Sequence, residues 1–217
     1  MHKKIVEDIE NNKIIVILRG IKDDELIPLA EAMYEGGIRL LEITFSAATP
    51  ESNEKTAENI RKLVSHFGER MQIGAGTVLT EHQVELVKLA GGEFIISPDT
   101  NTAVIKKTRE LGLVSIPGAL TPTEIMAAHT AGADFVKLFP ISTFGPGYVK
   151  AVKAPLSHVK LLAVGGIDEV NIADYLEAGV SGFGIGSNIT NKALIADKRF
   201  DGITALAEKY VSAVRRA

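Results

Sequence analysis

Short apolar runs rich in Ile, Val and Phe recur along the chain. They are Ile14–Leu18, Leu40–Phe45, Gln72–Val78, Glu93–Ser97, Leu113–Pro117, Phe135–Phe139, Lys160–Val164 and Gly182–Ile185. Between them lie longer stretches with helical spacing, among them Asp24–Tyr34, Glu81–Ala90, Thr123–Ala131 and Glu169–Ala178. Strands alternating with helical patterns predict βαβ units on a parallel sheet. The punctuation agrees. Small residues precede several runs, as in Glu35-Gly36-Gly37, Ala90-Gly91-Gly92, Leu111-Gly112, Ala131-Gly132-Ala133 and Ala178-Gly179, where a glycine ends a helix. Thr80-Glu81, Thr121-Pro122-Thr123-Glu124 and Asp168-Glu169 follow runs and carry helix-start chemistry.

The unit repeats every ~20–30 residues with no Pro/Ser-rich linker, and about eight units fill the chain. The pattern therefore predicts an α/β fold: one (β/α)8 TIM barrel over residues 1–217, with a leading helix around Ile5–Ile9 and a closing helix at Phe200–Val214. The architectural alternative is an open doubly wound sheet. The chain has 217 residues, enough for a sizeable core without a staple. Its charge is −3, from 24 basic and 27 acidic residues, so no basic excess points to nucleic acid. There are no cysteines, which excludes disulfides, thiolate zinc sites and a Cys nucleophile, and suits a cytoplasmic protein. No apolar run approaches a membrane span, and Met1-His2-Lys3-Lys4 does not read as the start of a secretory signal.

Barrel chemistry gathers at the C-terminal ends of the strands, so polar residues in those runs are the informative ones. Lys137 interrupts Phe135-Val136-Lys137-Leu138-Phe139-Pro140. Burial there lowers its pKa and frees the amine as a nucleophile. A structural ion pair, or a side chain reaching out of the barrel mouth, accounts for the same residue. Glu42 and Thr44 share a face of Leu40-Leu41-Glu42-Ile43-Thr44-Phe45. Glu42 there neutralises Lys137 or moves protons beside it. Arg19, ending Ile17-Leu18-Arg19, reads as a carboxylate clamp or a surface arginine. Thr77 follows Gly74-Ala75-Gly76, glycines that serve close approach to a ligand or tight interior packing.

The last two loops point to an anion. Val164-Gly165-Gly166-Ile167-Asp168 and Gly184-Ile185-Gly186-Ser187-Asn188 end the seventh and eighth runs, where barrels often seat phosphate on backbone N–H groups. The five histidines, His2, His66, His82, His129 and His158, show no ligand-like spacing, so no metal is expected.

Leu41-Glu42-Ile43-Thr44, Gly74-Ala75-Gly76-Thr77-Val78, Ile96-Ser97-Pro98, Pro117-Gly118, Lys137-Leu138-Phe139-Pro140, Val164-Gly165-Gly166 and Gly186-Ser187 occur in that order. From about Ile14 to Asn188 this set resembles the 2-keto-3-deoxy-6-phosphogluconate / 4-hydroxy-2-oxoglutarate aldolases. The resemblance implies a class I lyase that needs no metal or other cofactor, usually a homotrimer. It implies Lys137 as the Schiff-base residue and Glu42 as the acid/base. It implies substrate contacts from Arg19, Thr44, Thr77, Pro98 and Phe139, and a phosphate seat at Gly165, Gly166, Gly186 and Ser187. One stretch departs. Gluconate-type members carry an Arg shortly after the glutamate, whereas Phe45-Ser46-Ala47-Ala48 has Ser46 there. Ile17-Leu18-Arg19-Gly20-Ile21 and Phe144-Gly145-Pro146 look more like the 6-phosphogalactonate-type branch.

The implied partner is a small 2-oxo acid. It is the 6-phosphorylated gluconate or galactonate compound, split to pyruvate and glyceraldehyde 3-phosphate, or 4-hydroxy-2-oxoglutarate, split to pyruvate and glyoxylate. The alternatives are another phosphate-binding barrel (an isomerase, epimerase or synthase) that needs no strand lysine, and a non-catalytic binding protein on the same fold.

Overall fold

The computed structural model describes residues 2–47 and 49–217, so Met1 and Ala48, each part of a stretch quoted above, lie outside the described residues. Strands β1 (Ile14–Leu18), β2 (Leu40–Thr44), β3 (Gln72–Gly76), β4 (Phe94–Ile96), β5 (Val114–Ile116), β6 (Gly118–Ala119), β7 (Val136–Leu138), β8 (Leu161–Val164) and β9 (Gly182–Ile185) alternate with helices. The helices are α1 (His2–Asn12), α2 (Asp23–Glu35), α3 (Asn53–Phe67), α4 (Glu81–Leu89), α5 (Thr102–Glu110), α6 (Pro122–Thr130), α7 (Gly145–Lys153), α8 (Ile172–Glu177), α9 (Lys192–Ala196) and α10 (Phe200–Arg216). All strand pairs are parallel, in the order β5-β4-β3-β2-β1-β9-β8-β7-β6.

The two ends of that order, β5 and β6, are neighbours in the chain. Only Pro117 separates them, so they form one stave that closes the ring, and the barrel has the predicted eightfold plan. The fifth run is split because proline carries no N–H for the ladder. The Pro117 carbonyl still accepts from the Lys137 N–H at 2.9 Å, and the Ser97 N–H donates to the Ile116 carbonyl at 3.2 Å. Both seams of this stave are therefore bonded, and the open-sheet alternative is set aside.

Helix starts follow their side chains. The Thr80 and Thr121 hydroxyls accept from the N–H groups of Gln83 and Glu124, which reach back to the cap backbone. The Asp168-Glu169 start is displaced: α8 begins only at Ile172. Asp168 Oδ1 instead accepts from the N–H groups of Val170 and Asn171 at 3.0 and 2.9 Å, a turn that delays the helix.

Two apolar layers result. The larger lies between the sheet and the helices. The smaller fills the barrel, where Ile15, Leu40, Phe94, Val114, Phe135 and Leu162 meet Ile5 and Ile9 of α1. The leading helix thus stoppers the N-terminal end of the barrel. At that end the polar Gln72, which opens β3, is tied to α1: its Nε2 donates to Asp8 Oδ2 at 2.7 Å.

Candidate active site

Side chains alternate along a strand, so Lys137 shares the inward face with Phe135, which lies in the barrel core. Lys137 is 7% exposed, and its Nζ stands 4.7 Å from the centroid of the Phe139 ring. Burial holds its amine below the ordinary lysine range; the Glu42 carboxylate opposes this and the Arg19 guanidinium adds to it. Glu42 on β2 is 2% exposed. Burial pushes its carboxyl above the ordinary range, against the positive charges of Lys137 and Arg19. Glu42 Oε2 is buried with no hydrogen-bond partner among the described residues. The sequence therefore puts two inward, desolvated groups on separate staves and shifts both toward neutrality. Acid/base sites are built that way.

The glycines of β3 serve packing. A Cβ on Gly74 would run into the Phe94 ring, and one on Gly76 would fall on Glu42 Oε1. Their smallness makes room for the core and for the carboxylate, which favours the packing reading over close approach to a ligand. Just beyond, Thr77 has φ +55°, a left-handed backbone rare for a β-branched residue. That turn brings its hydroxyl to Arg19, whose guanidinium donates to Thr77 Oγ1 at 3.4 Å. Two residues singled out 58 positions apart are thus joined.

A cavity of about 790 Å³ opens over β1, β8 and β9. Arg19, Phe139, Gly165, Gly166, Gly186 and Ser187 all line it. Gly165 and Gly166 have φ of +101° and +71°, where other residues are strained. The carbonyls behind them are tied back: Asn171 Nδ2 donates to Gly166 O at 2.9 Å, and Asn188 Nδ2 to Ile167 O at 2.8 Å. The N–H groups of Gly166, Gly186 and Ser187 meet no protein acceptor among the described residues. Such a concavity suits an anion.

Thr44 and Pro98 stand apart from this wall. The Thr44 hydroxyl donates to Leu18 O at 3.2 Å and lines a separate cavity of about 510 Å³, beside Ser46, Lys55 and Asn59. Pro98 is half-buried, its carbonyl pressed against Gly118. Conversely, Lys22, Glu25 and Lys192 line the larger cavity and escaped sequence reasoning. They sit at helix starts with no apolar run around them to make a charge conspicuous. Asn188 carried a usable signal, directly after Gly186-Ser187.

Among the described residues no group of three or more His, Asp or Glu side chains is placed to hold a metal. Nor is any helix among them long and apolar enough to cross a membrane.

Comparison with known proteins gives a consistent result. The aldolase family described as KDPG and KHG aldolase matches residues 5–206. A probable 2-dehydro-3-deoxy-6-phosphogalactonate aldolase of Rhizobium meliloti is 39% identical over 89% of this chain and 90% of its own length. A 2-dehydro-3-deoxy-phosphogluconate aldolase of Haemophilus influenzae is 31% identical over 98% of each. The solved structure described as native KDPGal superposes with a TM-score of 0.84 at 35% identity, covering 94% of both chains. A KDPG aldolase from Legionella pneumophila, with pyruvate captured as a covalent carbinolamine, gives a TM-score of 0.81 at 29% identity over 91% of this chain and 93% of its own. With matches along nearly the whole barrel, the chain belongs to the KDPG and KHG aldolase family.

Proposed function

We propose that this aldolase acts through a Schiff base on Lys137, with residues 1–217 as one catalytic domain. The observation that carries the reading is the buried Lys137–Glu42 pair, each group pushed toward its neutral form, and joined through Phe139 and Arg19, which line it, to a cavity that ends in two glycine loops. The Lys137 amine attacks the C2 ketone of a 2-oxo acid, and loss of water from the carbinolamine gives an iminium. Glu42, directly or through water, takes the C4 hydroxyl proton. The C3–C4 bond breaks, its electrons flow into the iminium, and the aldehyde leaves. Glu42 returns a proton to C3 of the enamine, and water releases pyruvate and the free amine. Arg19 and Thr77 hold the carboxylate, and Gly165, Gly166, Gly186 and Ser187 seat the phosphate. Phe139 sets its ring beside the Lys137 amine.

The substrate proposed is a 2-keto-3-deoxy-6-phospho sugar acid, cleaved to pyruvate and glyceraldehyde 3-phosphate. Ser46 in place of arginine, with Arg19 at the end of β1, favours the galactonate configuration, as does the 39% identity to a relative of that name. Cleavage of 4-hydroxy-2-oxoglutarate is a second proposed activity, because it presents the same C1–C4 unit. Side-by-side pyruvate-release assays on the two C4 epimers and on 4-hydroxy-2-oxoglutarate rank them. We read the protein as a cytoplasmic homotrimer, as the family resemblance implies; light scattering giving the mass of one chain would overturn the assembly.

Incubation with pyruvate and borohydride tests the chemistry. A stable mass adduct mapped to Lys137 is expected, and its absence would remove the Schiff base. Arg19→Ala is expected to lower kcat/KM by roughly 10- to 200-fold, since a charge-assisted bidentate bond contributes about 1.5–3 kcal/mol. The loss should appear with phosphorylated and unphosphorylated substrates alike, because the carboxylate is common to both. A defect confined to phosphorylated substrates would place the carboxylate elsewhere. Arg19 also helps keep the Lys137 amine unprotonated. Its removal should therefore shift the rising limb of the trapping-rate profile to higher pH.

A further inference from the structure

The four residues read as the phosphate seat, Gly165, Gly166, Gly186 and Ser187, carry no side-chain charge, whereas a sugar phosphate is close to a dianion near neutral pH. Among the described residues the cavity lining holds three cations, Arg19, Lys22 and Lys192, and one carboxylate, Glu25. Arg19 is bonded to Thr77 and acts on the charges of Glu42 and Lys137, so it belongs to the reacting end. Lys22 and Lys192 remain. Lys22 immediately precedes α2 and Lys192 opens α9, so the two approach the same space from different helix starts.

Lys22 is held loosely. Its Nζ donates to Glu25 Oε1 at 3.2 Å, with the lysine side chain 75% exposed and the glutamate side chain 11% exposed. Glu25 Oε2 also accepts from the Lys22 backbone N–H at 3.4 Å. The carboxylate is therefore the fixed member of the pair and the ammonium the mobile one. Because the ammonium end of the pair is exposed, the ion pair itself contributes little, and the Lys22 head is free to swing to a more highly charged acceptor while Glu25 keeps its bond from the Lys22 backbone N–H.

We infer that Lys22 and Lys192 are the residues that select phosphorylated substrates, Lys22 leaving Glu25 to bind a phosphate oxygen and Lys192 binding from the α9 side. This rests on the aldolase reading above and adds the source of its phosphate preference. Glu25 then acts in the opposite sense, as the competitor that holds Lys22 back and repels the phosphate.

The experiment measures kcat/KM for a 2-keto-3-deoxy-6-phospho sugar acid and for its unphosphorylated counterpart, and takes the ratio. Lys22→Met and Lys192→Met should each lower the ratio by roughly 3- to 10-fold, and the double variant by more, the range for single charge-assisted bonds partly screened by water. Inorganic phosphate, used as a competitive inhibitor, should weaken in the same order. Glu25→Gln keeps an acceptor for the Lys22 N–H and removes the charge, so the ratio should rise about 2- to 5-fold. A merely structural role for the pair would not move Lys22→Met and Glu25→Gln in opposite directions. Raising the salt concentration should lower the wild-type ratio more than that of the double variant. Borohydride trapping with pyruvate, which has no phosphate, is run on the wild type alongside. An adduct together with ratios that stay at the wild-type value overturns the lysine assignment alone. No adduct overturns the aldolase reading on which it stands.

Discussion

Lys137→Ala should lose turnover by roughly 10⁴- to 10⁶-fold, as when a covalent nucleophile is deleted, and should give no borohydride adduct with pyruvate. Lys137→Arg should be equally inactive, because a guanidinium stays protonated and cannot form an imine. Lys137→Met is the informative control. It fills the same space beside Phe139 and leaves the backbone bond from residue 137 to the Pro117 carbonyl in place. It also removes an amine that burial already disfavours in its charged form. Its melting temperature should equal or exceed that of the wild type while activity vanishes. A large drop in melting temperature with partial activity would mean that Lys137 serves the barrel as a structural cation. Measurable trapping in any of the three variants would move the Schiff base to another lysine.

Strand residues were the most legible part of the site, and loop residues the least. A lysine within Phe135–Phe139 violates the apolar pattern of a doubly covered strand, so Lys137 is conspicuous without any coordinates. Glu42 stands out in Leu40–Phe45 for the same reason. The pairing of Arg19 with Thr77 was not readable from spacing, because it depends on the left-handed turn that Thr77 adopts after Gly76. Glu42 and Thr44, expected on one face of β2, are held differently: the glutamate is buried, and the threonine hydroxyl donates to the Leu18 carbonyl. The eight-stave plan followed from the regular helix–glycine–strand spacing. The split of the fifth stave at Pro117 needed the ladder itself, since proline at a strand end is also compatible with an intact strand. Lys22, Glu25 and Lys192 were invisible because charges on exposed helix ends are common, and only the cavity singles these three out.

Glu42→Gln separates the two readings of the carboxylate left open by the sequence. If Glu42 only balances the charge of Lys137, its loss should favour the reaction. The carboxylate raises the Lys137 pKa against burial, so without it the amine is neutral at lower pH. Trapping with pyruvate would then accelerate near neutral pH, and cleavage would follow. If Glu42 is the proton carrier, the same shift of Lys137 occurs but cleavage fails. The glutamine amide neither accepts the C4 proton nor returns one to C3. The expected loss in kcat is roughly 10²- to 10⁴-fold, the contribution of a positioned acid/base. We expect the second outcome: a trapping profile whose rising limb moves to lower pH, together with collapsed turnover. Burial raises the Glu42 pKa. The acid limb of the wild-type kcat profile should therefore lie above that of an ordinary glutamate, with activity lost as the pH falls through it, and it should vanish in Glu42→Gln. Gly76→Ala should imitate the variant in part, since the added methyl group occupies the place of Glu42 Oε1. Wild-type turnover in Glu42→Gln would leave the protons of this reaction to a group other than the β2 carboxylate.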